Sequence, residues 1–179
     1  GILAGIDDMI QSARPGDQLV LQYSGHGTRL EDLDGDEDDG MDEALCPVDY
    51  DDGAFILDDD LRALFARIGP GVQFTAFFDC CHSGTITRVA IATGPARRGK
   101  ARFMRATPEM QEAHRVFRTR LASASSVPSA GTPQRSRAGI EEMRDVTFSA
   151  CLATQLAMES DGQGEFTRAA MAALIEGLP

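Results

Sequence analysis

Phe77-Phe78-Asp79-Cys80-Cys81-His82-Ser83-Gly84 is the stretch on which the reading of this chain turns. The apolar run Val72-Gln73-Phe74-Thr75-Ala76-Phe77-Phe78 leads straight into it, and Gly69-Pro70-Gly71 punctuates the start of the run. β-Prone residues bounded by turn formers predict a buried strand over 72–78. A strand that ends in Asp-Cys-Cys-His-Ser-Gly sets thiols at its carboxyl end, where open α/β sheets build their sites. Gln18-Leu19-Val20-Leu21-Gln22-Tyr23-Ser24-Gly25-His26-Gly27 has the same form, a strand over 18–24 that ends at a Gly-flanked histidine. Two such strands run in parallel bring their ends together. His26 then faces Cys80 or Cys81, although 55 residues separate it from the latter.

Four blocks carry a family resemblance. Tyr-Ser-Gly-His-Gly-Thr (23–28), Asp-Glu-Ala-Leu-Cys-Pro-Val-Asp-Tyr (42–50), Asp-Asp-Asp-Leu (58–61) and Asp-Cys-Cys-His-Ser-Gly (79–84) resemble, in that order, the metacaspases. These are the caspase-fold cysteine proteases of bacteria, plants, fungi and protozoa. A histidine about 50 residues upstream of the cysteine is also the caspase spacing. The similarity covers residues 1–88 and returns more weakly at 145–176. It implies an α/β fold, a caspase-like three-layer sandwich with a mostly parallel central sheet and helices on both faces. The family's first strand and helix would precede residue 1, so that strand is expected to be missing from this chain or supplied from elsewhere.

Cys81 is the expected nucleophile. A thiol is mostly protonated at neutral pH, and a nearby imidazole or helix N-terminus raises the thiolate fraction. His26 would hand the proton to the leaving amine. The bland alternative is an inert buried cysteine beside a hydrogen-bonded loop histidine. Cys80 competes as nucleophile, but the family's catalytic residue is the one before His-Ser-Gly, so Cys80 is expected to point into the core. His82 reads as structural and His114 as a solvated residue of a linker helix. The resemblance assigns the oxyanion donors to the backbone N–H groups of Gly27 and Cys81, the usual means of holding a tetrahedral intermediate.

Asp79 ends an apolar strand, and a carboxylate there needs a partner; a substrate Arg or Lys is one, a local turn the other. The resemblance makes Asp79, with Ser24, the lining of the primary specificity pocket, and implies cleavage after Arg or Lys. Calcium is likewise implied, with ligands matching Asp42, Asp58 and Asp59. Arg88 stands where a fourth acidic ligand is expected, which would weaken the site. Asp32-Leu33-Asp34-Gly35-Asp36 matches the start of an EF-hand loop, but Glu37 occupies the position of the invariant glycine. A solvated acidic loop with helix caps is the alternative.

The net charge of −11 conceals an asymmetry. Residues 1–87 hold 19 acids against 4 bases, residues 88–144 hold 12 bases against 4 acids, and residues 145–179 hold 5 acids against 1 base. Overall acidity argues against nucleic acid as a partner, since phosphate binding needs clustered Lys and Arg. No apolar run approaches the ~20 residues of a membrane span. The four cysteines show no metal-finger spacing, and adjacent Cys80 and Cys81 are poor disulfide partners, which points to a reducing, cytoplasmic setting. The first residues read as mid-domain, so an upstream signal stays open.

Three parts are expected: a large-subunit-like part at 1–88, a basic linker at 89–144 and a small-subunit-like part at 145–179. Within them, helical spacing predicts helices at 1–14, at Leu61–Ile68 behind the cap Asp58-Asp59-Asp60, at Pro108–Leu121, and at the end of the chain around Phe166, Ala170, Met171, Leu174 and Ile175. A short strand near Ala44–Val48 and another at 145–151 complete the pattern. The linker shows no buried-strand pattern. It offers Arg97, Arg98, Lys100, Arg102 and Arg105 to an enzyme that cuts after basic residues, hence an expectation of self-cleavage. In the last part, Phe148-Ser149-Ala150-Cys151 and Gly164-Glu165-Phe166-Thr167 resemble the family, while Leu152-Ala153-Thr154-Gln155 departs from its acidic pattern. The rivals to a metacaspase-type endopeptidase are a catalytically silent caspase-fold regulatory domain and another protease of the same broad clan, of legumain or gingipain type.

Overall fold

The computed structural model describes residues 1–81, 100–124, 145–150 and 157–176. In chain order the elements are α1 (Ile2–Ser12), β1 (Gln18–Ser24), β2 (Gly27–Glu31), β3 (Met41–Leu45), β4 (Ile56–Leu57), α2 (Asp58–Phe65), β5 (Gln73–Asp79), β6 (Lys100–Ala101), α3 (Pro108–Ala124), β7 (Asp145–Ser149), β8 (Met158–Ser160), β9 (Gln163–Gly164) and α4 (Glu165–Glu176). A 3-10 turn lies at Tyr50–Asp52.

A parallel sheet in the order β1-β5-β7 forms the centre. Alternation along its strands sorts side chains between two layers. Leu19, Leu21 and Tyr23 of β1, with Phe74, Ala76 and Phe78 of β5, pack on one side against Ile6 and Ile10 of α1 and Leu61 of α2. On the other side, Val20, Gln22 and Phe77 line a cleft with Phe166, Thr167, Ala170, Met171 and Leu174 of α4. This is the mixed α/β architecture with a parallel central sheet and helices on both faces that the resemblance implies. Phe74 sits at the heart of the first layer, 1% exposed and tilted against Phe65 at 4.7 Å between ring centroids. Phe77 stacks on Phe148, its register partner in β7, at 5.1 Å.

Two smaller sheets hang on this centre. β2-β3-β4 is antiparallel and buries Leu30, Ala44 and Leu57 with Phe55. β6-β8-β9 is also antiparallel. No helix among the described residues is long and apolar enough to cross a membrane.

Three local expectations are corrected. The second helix begins at Asp58, not Leu61, so its three aspartates fill the first turn, where the helix dipole favours negative charge. Asp60 reaches back to accept the Leu57 N–H at 3.1 Å and holds Arg118 of α3 at 2.8 Å. His114 is not solvated. It is 1% exposed, edge-on to Phe55, with Nδ1–H donating to the Gly53 carbonyl at 3.1 Å. Gly53 has φ +83°, and a Cβ there would overlap the Ala113 backbone, so the close approach of this turn to α3 requires glycine. Finally, the absence of a buried strand in the basic stretch does not extend to 100–102: Lys100–Ala101 pairs with β8, and Arg102 is 5% exposed. This segment is held through its main chain, which leaves no apolar period to read.

Candidate active site

β1 and β5 are paired in parallel with Ser24 opposite Asp79, and both chains leave the sheet at the same end. The Gly25 N–H donates to the Asp79 carbonyl at 3.3 Å, continuing the ladder one step. His26 and Cys81 each follow two residues further on, at that same end of the sheet. His26 is exposed, and its loop is tied down through its carbonyl. That oxygen accepts from the Tyr23 hydroxyl at 2.8 Å and the Cys46 N–H at 3.0 Å. Burial, then the nearby Cys46 and Cys80 thiols, push the Tyr23 pKa up, so the hydroxyl stays protonated and remains a donor.

The three described cysteines occupy different settings. Burial pushes the Cys46 thiol up to about 12, which suits an inert side chain. Cys80 is wholly buried within the apolar layer formed with α1 and α2. Cys81 is also wholly buried, but against main chain: its Sγ donates to the Ala157 carbonyl at 3.2 Å and lies 2.6 Å from the Ala157 N–H.

The N–H groups of Gly27 and Cys81 converge on a single acceptor. Both donate to the carbonyl oxygen of Arg102, at 3.0 and 3.1 Å. The Arg102 side chain reaches into a pocket on the α4 side of the sheet, where strand alternation has placed Ser24 and Asp79 together. Its Nη1 donates to the Ser24 hydroxyl and to the Asp79 carbonyl at 3.2 Å. Its Nε lies 3.9 Å from the Asp79 carboxylate and its Nη2 lies 3.4 Å from Glu159, so two acids face the guanidinium. Thr167, in the first turn of α4, donates to Asp79 Oδ2 from both its N–H (3.0 Å) and its hydroxyl (2.5 Å).

Comparison with known proteins identifies the family. Residues 1–90 match the profile described as the metacaspase, peptidase C14 domain. The chain belongs to the metacaspase family. It is 49% identical over 86 residues to Metacaspase-1 of Kluyveromyces lactis, covering 48% of this chain and 20% of that protein. To Metacaspase-1B of Aspergillus niger it is 48% identical over 85 residues, covering 47% and 19%. The chain thus spans about a fifth of the length of the curated relatives it matches. The crystal structure of protein GSU0716 from Geobacter sulfurreducens superposes with a TM-score of 0.71 at 27% identity, covering 99% of this chain and 62% of that one.

In this metacaspase two of the three expected metal ligands, Asp42 and Asp59, fall into two acidic groups that share Asp36. Carboxylate oxygens of Asp32, Asp36 and Asp42 lie within 4.8 Å of one another, and so do those of Asp34, Asp36 and Asp59. Asp42 is 3% exposed, and burial, followed by the charges of Asp32, Asp34, Asp58 and Asp59, pushes its carboxyl up to about 7. Asp36 Oδ1 is buried with no hydrogen-bond partner among the described residues. Crowded, partly desolvated carboxylates of this kind fit a hard divalent cation. Asp58 belongs to neither group; it pairs with Arg62 at 2.7 Å, and Arg62 also holds Asp59.

Of the residues singled out by sequence, Ser24, His26, Gly27, Asp79 and Cys81 come together at one end of the sheet. Arg88, His82 and Leu152–Gln155 lie outside the described residues. Arg102, Glu159 and Thr167 were missed as parts of the pocket. Only the family-like Gly164–Thr167 block and the basic character of 97–105 gave a signal for them.

Proposed function

We propose that this chain is the catalytic part of a cysteine endopeptidase that cuts after Arg or Lys. One observation supports this above the others: two N–H groups, from Gly27 and Cys81, hold the carbonyl oxygen of an arginine whose guanidinium lies against Ser24 and Asp79. That is the arrangement an acyl-transfer site needs, with oxyanion donors and a side-chain pocket set for one residue.

In this reading the Cys81 thiolate attacks the carbonyl carbon of the basic residue. The negative oxygen of the tetrahedral intermediate is held by the Gly27 and Cys81 N–H groups. The C–N bond breaks as His26 gives a proton to the leaving amine, and a thioester remains. Water, deprotonated by His26, then attacks the thioester, releasing the new carboxyl terminus and restoring the thiol. Asp79 selects the positive side chain, with Ser24 as a neutral acceptor. Asp42 and Asp59, with Asp32, Asp34 and Asp36, would hold calcium, which would neutralise the carboxylate repulsion around Asp42 and fix the loop that follows β2. Self-cleavage within the basic stretch belongs to the same activity.

The test is hydrolysis of fluorogenic peptides ending in Arg, Lys or Asp, with calcium and with chelator, against Cys81→Ala. Cleavage after Arg and Lys, absent in the variant and dependent on calcium, is the expected result. Hydrolysis after Asp, or hydrolysis that survives Cys81→Ala, would overturn it.

A further inference from the structure

Resting on that reading, we propose that Lys100–Met104 is a built-in substrate already seated in the groove. The bond it presents for self-cleavage is Arg102–Phe103, and until that bond is cut the segment shuts out other substrates. The assignment comes from main-chain contacts on both sides of one peptide bond. Before it, Lys100 and Ala101 pair antiparallel with Glu159 and Met158, and the Arg102 N–H donates to the Ala157 carbonyl at 3.0 Å. At it, the Arg102 carbonyl lies between the Gly27 and Cys81 N–H groups. After it, Phe103 bridges to Gly27, and the Met104 N–H donates to the Gly27 carbonyl at 2.9 Å.

A purely structural arginine would need its guanidinium paired, but nothing would require its carbonyl to occupy the place of an oxyanion. Here the side chain and the carbonyl are held together, each by the groups a substrate would use. Lys100 and Arg105, the neighbouring basic residues, are exposed, so the pocket singles out Arg102.

Cys81 Sγ, now turned to Ala157, gives its proton to His26 and rotates onto the Arg102 carbonyl carbon. The Arg102–Phe103 bond breaks with the proton passing from His26 to the Phe103 nitrogen. Water then hydrolyses the thioester, leaving one piece ending at Arg102 and another beginning at Phe103.

Three arms test this on the full chain. N-terminal sequencing of wild type with calcium should find Phe103-Met104-Arg105, absent from Cys81→Ala and Arg102→Gln. Fragments that begin elsewhere, or that persist in Arg102→Gln, overturn the assignment of the bond. Second, Arg102→Gln should hydrolyse an Arg-ended fluorogenic peptide roughly tenfold faster than uncut wild type, the factor by which a groove nine-tenths occupied lowers apparent affinity. Equal rates overturn the blockade. Third, trypsin applied to folded Cys81→Ala should cut after Arg105 at least about tenfold faster than after Arg102, since protection follows local opening. Equal cutting overturns the seating. Wild type that hydrolyses peptides without a Phe103 end removes this inference and leaves the peptidase reading standing. If neither wild type nor Arg102→Gln hydrolyses any peptide, the peptidase reading falls, and the trypsin arm still decides the seating.

Discussion

Thr167 grips one oxygen of Asp79 twice, through its N–H at 3.0 Å and its hydroxyl at 2.5 Å, and so leaves Oδ1 turned toward the guanidinium of Arg102. The first turn of α4 thereby aims a carboxylate that β5 supplies. Strand end and helix start are brought together at Gly164, where even a methyl group would overlap the Asp79 carboxylate. The pocket around the Arg102 guanidinium is therefore assembled from two residues 88 positions apart, Asp79 and Thr167, neither of which makes it alone.

This gives a graded expectation. A hydrogen bond to a charged group is worth ~1.5–3 kcal/mol, or roughly 10–100-fold. Asp79→Asn should lose about 100-fold in kcat/KM on Arg-ended peptides, because the charge itself is gone. Thr167→Val should lose about tenfold, carried mainly by KM, because the acid stays but keeps only the main-chain N–H of its two donors. Gly164→Ala should resemble Asp79→Asn in activity. Steady-state kinetics at matched folding, checked by circular dichroism, decides; a Thr167→Val effect wholly in kcat would show that Thr167 does not act through binding.

Glu159 makes a separate contribution. It faces Arg102 Nη2 at 3.4 Å from β8, while Nη1 of the same guanidinium is held by Ser24 and the Asp79 carbonyl. A guanidinium presents donors in a wide fork, whereas a lysine ammonium is a single point of charge. Glu159→Gln should therefore weaken cleavage after Arg more than after Lys, lowering the Arg-to-Lys preference about three- to tenfold. Paired peptides differing only at that residue measure it, and an unchanged ratio would remove Glu159 from the pocket.

Much of this site was written locally. The spacing of 55 between His26 and Cys81 equals the register offset between Ser24 and Asp79, so two parallel strands of similar length were enough to align them. Alternation from Phe78, on the α1 side, also put Asp79 on the opposite face, with Ser24. The occupant of the pocket was not legible, because Lys100–Met104 is fixed by main-chain hydrogen bonds, and those leave no pattern in side-chain order. His114 misled for a related reason. Its burial is decided by Phe55 and Gly53, far away in sequence, while the charged residues beside it on the helix, Glu112 and Arg115, are exposed.

That buried histidine predicts a pH dependence of stability. Burial, the largest influence, holds the His114 pKa below its ordinary 6.5, and its Nε2 has no hydrogen-bond partner among the described residues. The unfolded chain then binds a proton that the native protein refuses, so stability rises with pH up to about 6.5 and is lost as pH falls below it. Urea unfolding from pH 5 to 7.5 in an Asp42→Asn background, where the opposing titration of Asp42 is removed, should show that slope. His114→Leu should flatten it while lowering stability near neutrality by ~1–3 kcal/mol, because the Gly53 carbonyl is left without its donor. Parallel slopes in the two proteins would place the titration elsewhere.

The carboxyl of Asp42 titrates with the opposite sign. Its pKa rises from 3.8 unfolded to about 7 in the native protein, through burial and four neighbouring aspartates. The native state thus keeps a proton that the unfolded chain releases. The stability this confers is complete below about 3.8 and lost as pH rises through 7. A bound divalent cation would reverse the trend, since it binds the ionised cluster and is absent from the unfolded chain. At a hundred times its dissociation constant, calcium adds ~2.7 kcal/mol, which for a chain of this size is roughly 5–10 °C in Tm. Thermal unfolding of Cys81→Ala, which cannot cut itself, should show that rise with calcium over chelator at pH 8 and much less of it at pH 6. Adding Asp42→Asn should raise Tm in chelator at pH 8, by removing the repelled charge, and should abolish the calcium increment. Identical melting with calcium and chelator at pH 8 would mean that the acidic loop holds no such ion and that the repulsion around Asp42 is simply endured.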